Sequence, residues 1–190
     1  MNNNNNNNNN NSNIVLLLDS KFKESDVGPK FYKQKLMYNL SINVPKFFCI
    51  NTCLYDEIFL ASKSEILDHL NSINWNDSKS IKNKSIAIAN IFRKFKFSTQ
   101  TITEILGCMN KYFAKDSFVS VRSSMIGNKI EESEDSSIHS FAGMSESFLY
   151  VRQEQVIEKI KECFASGFSE QVMLYRYKQN LDPIAFKVSV

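Results

Sequence analysis

Apolar and polar positions along this chain switch between two periods, and the switches delimit its elements. The short apolar run 14–18, closed by Asp19, reads as a strand. A polar stretch over 20–29 follows, and its Gly28-Pro29 pair predicts a turn. From 30 to 40, Phe31, Lys35, Leu36 and Leu40 recur at near-helical spacing, until Val44-Pro45 breaks the pattern and 47–50 reads as a second strand. Thr52 is a candidate N-cap for a helix through Leu54, Tyr55, Ile58 and Phe59, and the spacing predicts further helices over 64–73, 77–94 and 99–113.

Two strand-like runs come next, Phe118, Val119 and Val121 first, then Phe148, Leu149 and Val151, separated by a serine-rich, acidic stretch ending in Ser140-Phe-Ala-Gly143. Over 153–166, Val156, Ile157, Ile160, Cys163 and Phe164 share one face, an amphipathic helix, and 169–178 reads as another. Ile184, Phe186, Val188 and Val190 then alternate as in a strand, and the sequence ends inside it. That last strand is expected to find its sheet neighbours in further chain, leaving an unpaired apolar edge that favours poor stability or association. The succession is that of an α+β fold, a small mixed sheet with a helical middle segment. No internal repeat is present.

Composition sets limits on this picture. The 190 residues, 43% hydrophobic with 15 Phe and 7 Tyr, suffice for one domain with an aromatic-rich core. A net charge of +3, without a basic stripe or block, points to neither nucleic acid nor membrane as partner. Residues 1–13, dominated by asparagine, have nothing to bury and are expected to be a disordered tail, leaving 14–190 as the folded unit. The run 14–18 is too short to span a bilayer and lacks a basic flank, so a cytoplasmic location is expected. Cys49 and Cys53 are spaced as C-x3-C, but no second pair or neighbouring His completes a zinc set; Cys49, Cys53, Cys108 and Cys163 read as free thiols in apolar segments.

Candidate chemistry gathers around 118–151. Arg122, read as a buried type of arginine at a strand end, offers a planar fork of donors matching phosphate oxygens, and Ser123, Ser124 and the backbone near Gly143 suit close approach to the same anion. Lys30, after a turn and at the start of a helix, is placed for an anion because helix-start amides and the helix dipole point the same way. Other readings stand beside these. Arg122 could pair with Glu134, Asp135 or Glu146, Gly143 could be a hairpin-turn residue and Ser147 an ordinary strand serine. Glu131, Glu132, Glu134 and Asp135 form a solvated acidic run or attract magnesium.

Four ordered motifs carry a family resemblance: Val27-Gly-Pro-Lys30; Val44-Pro-Lys-Phe-Phe-Cys-Ile-Asn-Thr-Cys-Leu-Tyr55; Val121-Arg-Ser-Ser124 with Glu134-Asp135 and Ser140-Phe-Ala-Gly143; and Glu146-Ser-Phe-Leu-Tyr-Val151. They resemble V-G-G-K, V-P-P-G-F-x-I-T-T-x-x-Y, V-R-S-S followed by E-D and S-F-A-G, and E-T-F-L-x-V of the phosphoenolpyruvate synthase, pyruvate phosphate dikinase and rifampicin phosphotransferase family. Cys163-Phe-Ala-Ser166 and Tyr175-Arg176 are similar to its C-W-A-S and Y-R. The resemblance implies the N-terminal part of an ATP-grasp nucleotide-binding domain, ATP as ligand, and a phosphotransferase of the kinase type. It implies Lys30 and Arg122 on the phosphates and Gly143 and Ser147 lining the site.

This chain departs from the pattern in places. Pro29 replaces the second Gly, Phe47 stands where the family has Gly, Met144 replaces a Gln, and the stretch from Arg122 to Phe141 is longer, implying an enlarged loop over 125–133. By the same resemblance, a further nucleotide-binding Gln and the acidic Mg2+ ligands would follow Val190. The phosphohistidine and pyruvate domains would lie elsewhere too, so the chain is expected to be inactive alone and to have a separately encoded remainder as partner. His69 and His139 lie in no T-G-G-x-x-S-H pattern and are not expected to be phosphorylated. The alternatives are a catalytically degenerate family member acting as a binding or regulatory module, and a helical interaction protein unrelated to nucleotide.

Overall fold

A computed structural model describes residues 13–16, 18–19, 21–127, 141 and 143–190. The asparagine tract, the acidic run 131–135, His139, Ser140 and Ala142 lie outside the described residues. The elements run β1 (Ile14–Leu16), α1 (Glu24–Asn39), β2 (Phe48–Ile50), α2 (Thr52–Ala61), α3 (Lys63–Asn71), α4 (Ser78–Lys94), α5 (Thr99–Tyr112), β3 (Val119–Arg122), β4 (Ser124–Gly127), β5 (Ser147–Val151), α6 (Val156–Ser166), α7 (Glu170–Lys178) and β6 (Phe186–Ser189). The α+β class and the helical middle segment are as the sequence indicates. All three described ladders, β1 with β2, β3 with β5 and β4 with β6, are antiparallel where a mixed sheet was expected.

Helix starts follow local chemistry. Asp77, Ser98 and Ser169 each accept a hydrogen bond from a first-turn amide (Lys79, Thr101 and Val172), satisfying groups with no intrahelical partner. For α2 the cap is Asn51, whose Oδ1 accepts from Cys53 N at 3.0 Å, and not Thr52, which is helical and buried. In α6 the helix proper begins at Val156, after a 3-10 turn over Gln153–Gln155.

Two corrections concern strands. The expected loop over 125–133 begins as a strand: Met125, Ile126 and Gly127 pair in β4 with Val188, Lys187 and Phe186. The last strand, expected to be an unpaired edge, lies between neighbours, because Ser124–Gly127 lines one side while Ile50 and Val190 exchange two backbone hydrogen bonds, at 2.7 and 2.9 Å. Ser123 separates β3 from β4, so the stretch 119–127 pairs first with β5 and then, past Ser123, with β6. Among the described ladders β5 pairs on one side only, and its Leu149 and Tyr150 are exposed.

The main core forms where α2, α4, α6 and α7 meet β6. Tyr55 stacks on Phe92 at 5.4 Å, Phe92 on Phe168 at 5.4 Å, and Phe168 meets Phe186 at 5.2 Å, a chain of buried rings through this core. Arg176 enters this core nearly fully buried. Its Nε donates to Asp182 O at 2.8 Å and its guanidinium lies over Phe141 and Phe186, which together fix the turn leading into β6. A smaller cluster of Val15, Val27, Phe31 and Cys49, with Phe22, Tyr32 and Phe47 against it, seats α1 on β2.

Burial pushes the Cys163 thiol up to about 12, with Glu146 adding to the effect and Lys30 opposing it, and burial likewise raises Cys49. The folded chain therefore holds these protons at pH values where the unfolded chain releases them. Their contribution to stability is complete below the unfolded value of 9.0 and is lost as pH rises from there towards about 12. The urea midpoint is expected to fall above pH 9.0, less steeply in Cys163→Ala; an unchanged midpoint across that range would contradict the buried, protonated state of these thiols.

Candidate functional site

The site is built on a close approach of backbone to a serine floor. Gly28 has φ 73° and ψ 165°, a region open essentially to glycine alone, and it breaks α1 into two segments. A Cβ at Gly28 would stand 2.7 Å from Ser124 Oγ and 2.8 Å from Ser189 Oγ, so only a hydrogen fits between this turn and strands β4 and β6. Pro29 opens the second helical segment, a position that suits its fixed φ and missing N–H. The replacement of a second glycine by proline is thus accommodated, with the positive φ carried by Gly28 alone.

Hydrogen bonds hold the turn against that floor. Ser189 Oγ donates to Val27 O at 2.7 Å, the Cys49 thiol to the same carbonyl at 3.6 Å, and Lys30 N donates to Ser124 Oγ at 3.3 Å. The Lys30 ammonium donates to Ser123 O at 2.5 Å. Ser123 in turn ties β3 to the start of β5, its N–H and Oγ both donating to Glu146 O, at 2.9 and 3.0 Å. A compact ammonium has three donors, so Lys30 can keep this contact and still address an anion.

Lys30 and Arg122 line one cavity of about 410 Å³, opened between α1, the loop before β2, and β3. Arg122 is exposed, contrary to its reading as a buried type; the buried arginine of this fold is Arg176. Along β3, Val119 and Val121 point into the core while Ser120 and Arg122 face out, as the two-residue period requires. Among the described residues the Arg122 side chain makes no hydrogen bond or ion pair, and its Glu146 alternative is not realised. Phe31, Phe47, Phe48, Phe113 and Phe118 supply the apolar part of the wall.

The other two sequence candidates lie apart from this wall. Ser147 is the residue paired with Arg122 across the β3–β5 ladder, which sets both side chains on one face of that ribbon. Gly143 is exposed with φ 77°, and Met144 N donates to Phe141 O at 3.0 Å, the geometry of a turn that needs a positive φ at its third residue. Three wall residues that the sequence reading did not single out are Gln34, one helical turn after Lys30, Ser120, and Lys46. Lys46 had a signal: it stands at the second proline of V-P-P-G. His69 belongs to α3, outside the cavity wall.

Among the described residues no Asp or Glu lines this wall, and no group of three or more His, Cys, Asp or Glu side chains gathers as a metal site. No described helix is long and apolar enough to cross a membrane. The described chain is thus an α+β fold whose cavity wall carries the cationic side chains of Lys30, Lys46 and Arg122. Residues 24–190 match the family "Pyruvate phosphate dikinase, AMP/ATP-binding domain", and the chain belongs to that family. Similar proteins include a probable phosphoenolpyruvate synthase of Methanothermobacter thermautotrophicus, 26% identical over 74% of this chain and 21% of its own length. Another from Pyrococcus abyssi is 31% identical over 62% and 14%, and a rifampicin phosphotransferase of a Streptomyces species 24% identical over 74% and 16%. The chain thus spans about a fifth or less of the length of these relatives.

Gly28→Ala is expected to destabilise the fold by about 2 kcal/mol or more, since it combines a glycine-only backbone conformation with a contact under 3 Å. Chemical denaturation of the variant measures this. Wild-type stability would show that the turn does not rest on the Ser124 and Ser189 floor.

Proposed function

We propose that this chain binds ATP with its phosphates held between Lys30 and Arg122, as the nucleotide-binding portion of a phosphoenolpyruvate-synthase-like phosphotransferase. The observation that supports it is the convergence of these two cations, from elements far apart in sequence, on one cavity with aromatic faces beside them. Lys30 supplies a compact ammonium already oriented by Ser123 O, and Arg122 supplies a planar fork able to take two phosphate oxygens at once. The phenylalanines of the wall supply apolar surface against which a purine ring can pack. Gly143 and Ser147 belong to this proposal as residues of the β5 side, Ser147 through its pairing with Arg122.

Mg2+ fits this wall poorly, because hard cations take oxygen ligands and the described wall provides no carboxylate. Phosphoryl transfer needs charge neutralisation and a positioned acceptor as well as bound phosphates, so turnover is proposed to require polypeptide of the kind that makes up the remaining length of the relatives, with location in the cytoplasm. A second reading, a family member that binds nucleotide without catalysis, is favoured by Phe47, whose ring packs edge-on against Phe31 at 5.2 Å and fills wall space where the family motif has glycine.

Charge-assisted bonds to phosphate contribute about 1.5 to 3 kcal/mol each, so Lys30→Ala and Arg122→Ala are each expected to weaken ATP about tenfold or more. Calorimetric titration of wild type and both variants decides it; equal affinities would remove the assignment. The purified 190-residue chain is expected to show no ATP cleavage, and magnesium-dependent cleavage abolished by Arg122→Ala would contradict the division of labour proposed here.

A further inference from the structure

Strand β5 carries an irregularity that turns two apolar side chains out of the fold. Val119 pairs with Val151 and Val121 with Phe148, so Ser120 of β3 stands opposite both Leu149 and Tyr150. Such a bulge interrupts the alternation of a strand, and both residues face solvent, Leu149 65% exposed and Tyr150 81%. Tyr150 has φ 53°, in the left-handed region that strains the backbone of an aromatic residue. The core does not account for that strain, because the ring lies outside it. The ring meets Phe118 edge-on at 6.4 Å, Phe118 is itself 55% exposed, and the Arg152 guanidinium lies over Phe118 at 5.8 Å.

Beside this ridge lies a depression of about 540 Å³ between the loop 113–118 and the 3-10 turn before α6. Its two sides are tied together, since Gln153 Nε2 donates to Ala114 O at 2.8 Å. Lys115, Asp116, Arg152 and Glu154 are exposed around it, and among the described residues none of these four side chains forms an ion pair. Two cations and two carboxylates on one face are self-complementary. A two-fold axis sets residue i against residue j and j against i, so the cations of one copy can meet the carboxylates of the other.

We propose that this face binds a second copy of the chain, with Leu149 and Tyr150 of each copy seated in the depression of the other. Aromatic residues and arginine are enriched at interface centres, and an anchor contributes most where it fills a well-packed pocket. The contact is one of side chains, because a bulge disrupts the edge of β5 as a template for a further strand. The depression adjoins the cavity between α1 and β3, Phe113 and Phe118 lining both, and association requires no nucleotide.

The test is sedimentation equilibrium of the full 190-residue chain over a concentration series without nucleotide, for wild type, Tyr150→Asn, Arg152→Glu and Glu154→Arg. Wild type is expected to follow a monomer–dimer equilibrium. Tyr150→Asn removes the ring while suiting the left-handed backbone, so it is expected to weaken the dimer about tenfold or more and, at concentrations where both chains are monomeric, to melt no lower than wild type. Arg152→Glu and Glu154→Arg each set like charges across the two-fold and are expected to weaken self-association about fivefold or more. Mixed in equal amounts, the two variants face opposite charges and are expected to associate within about twofold of wild type. A wild type that stays monomeric throughout, a dimer that Tyr150→Asn leaves intact, or a mixture that associates no better than its components would overturn the assignment.

Discussion

The architecture depends on one steric constraint, the approach of the Gly28 backbone to within hydrogen-only distance of Ser124 and Ser189. These serines come from strands paired to each other, Ser124 opposite Ser189 at the end of the β4–β6 ladder. Pressing the turn against that pair brings the Val27 carbonyl within reach of the Ser189 hydroxyl and the Lys30 amide within reach of Ser124. Polar groups that would otherwise be buried unpaired are thereby satisfied, which is the condition for putting a turn inside a fold at all. The second segment of α1 then leaves the turn with Lys30 and Gln34 in the cavity wall and Phe31 buried.

Cations divide into two groups in this fold, and burial separates them. Arg176 is enclosed, its Nε and Nη2 donating to Asp182 O and Ala185 O and its guanidinium lying over two rings, so it does structural work at the turn before β6. Arg122 and Lys46 stay exposed at the rim of an apolar cavity, where the surrounding phenylalanines lower the local polarity without quenching the charge. Lys30 lies between these cases, half-buried and tied to Ser123 O. Of these cations Lys30 is oriented before any anion arrives, and preorganisation of this kind reduces the ordering cost of binding.

Most helices were legible in the sequence because apolar positions at helical spacing are a local signal, whereas the cap expected at Thr52 falls on Asn51 and α1 begins at Glu24, inside the stretch read as a loop. What escaped the sequence was nonlocal. The strand Ser124–Gly127 is short and sits beside a polar stretch, so no period announces it, and only its partner Phe186–Ser189 defines it. The same pairing explains why an apparently dangling last strand is in fact flanked. Arg122 looked buried because its neighbours Val119 and Val121 are apolar, yet the two-residue period of a strand turns it outward. Lys30 and Arg122 were legible as phosphate-type residues, but their convergence on one cavity depends on the Gly28 contact, which spacing alone does not encode. Lys46 escaped notice because a lysine in a loop is ordinarily solvated, and only the shared wall distinguishes it.

The most direct measurement is a crystal structure of the chain with a non-hydrolysable ATP analogue. The account requires phosphate oxygens within hydrogen-bonding distance of Lys30 Nζ and the Arg122 guanidinium, with the Gly28 turn still seated on Ser124 and Ser189. Nucleotide bound elsewhere, for instance in the separate depression beside Lys115 and Arg152, with the cavity between α1 and β3 left open, would contradict it.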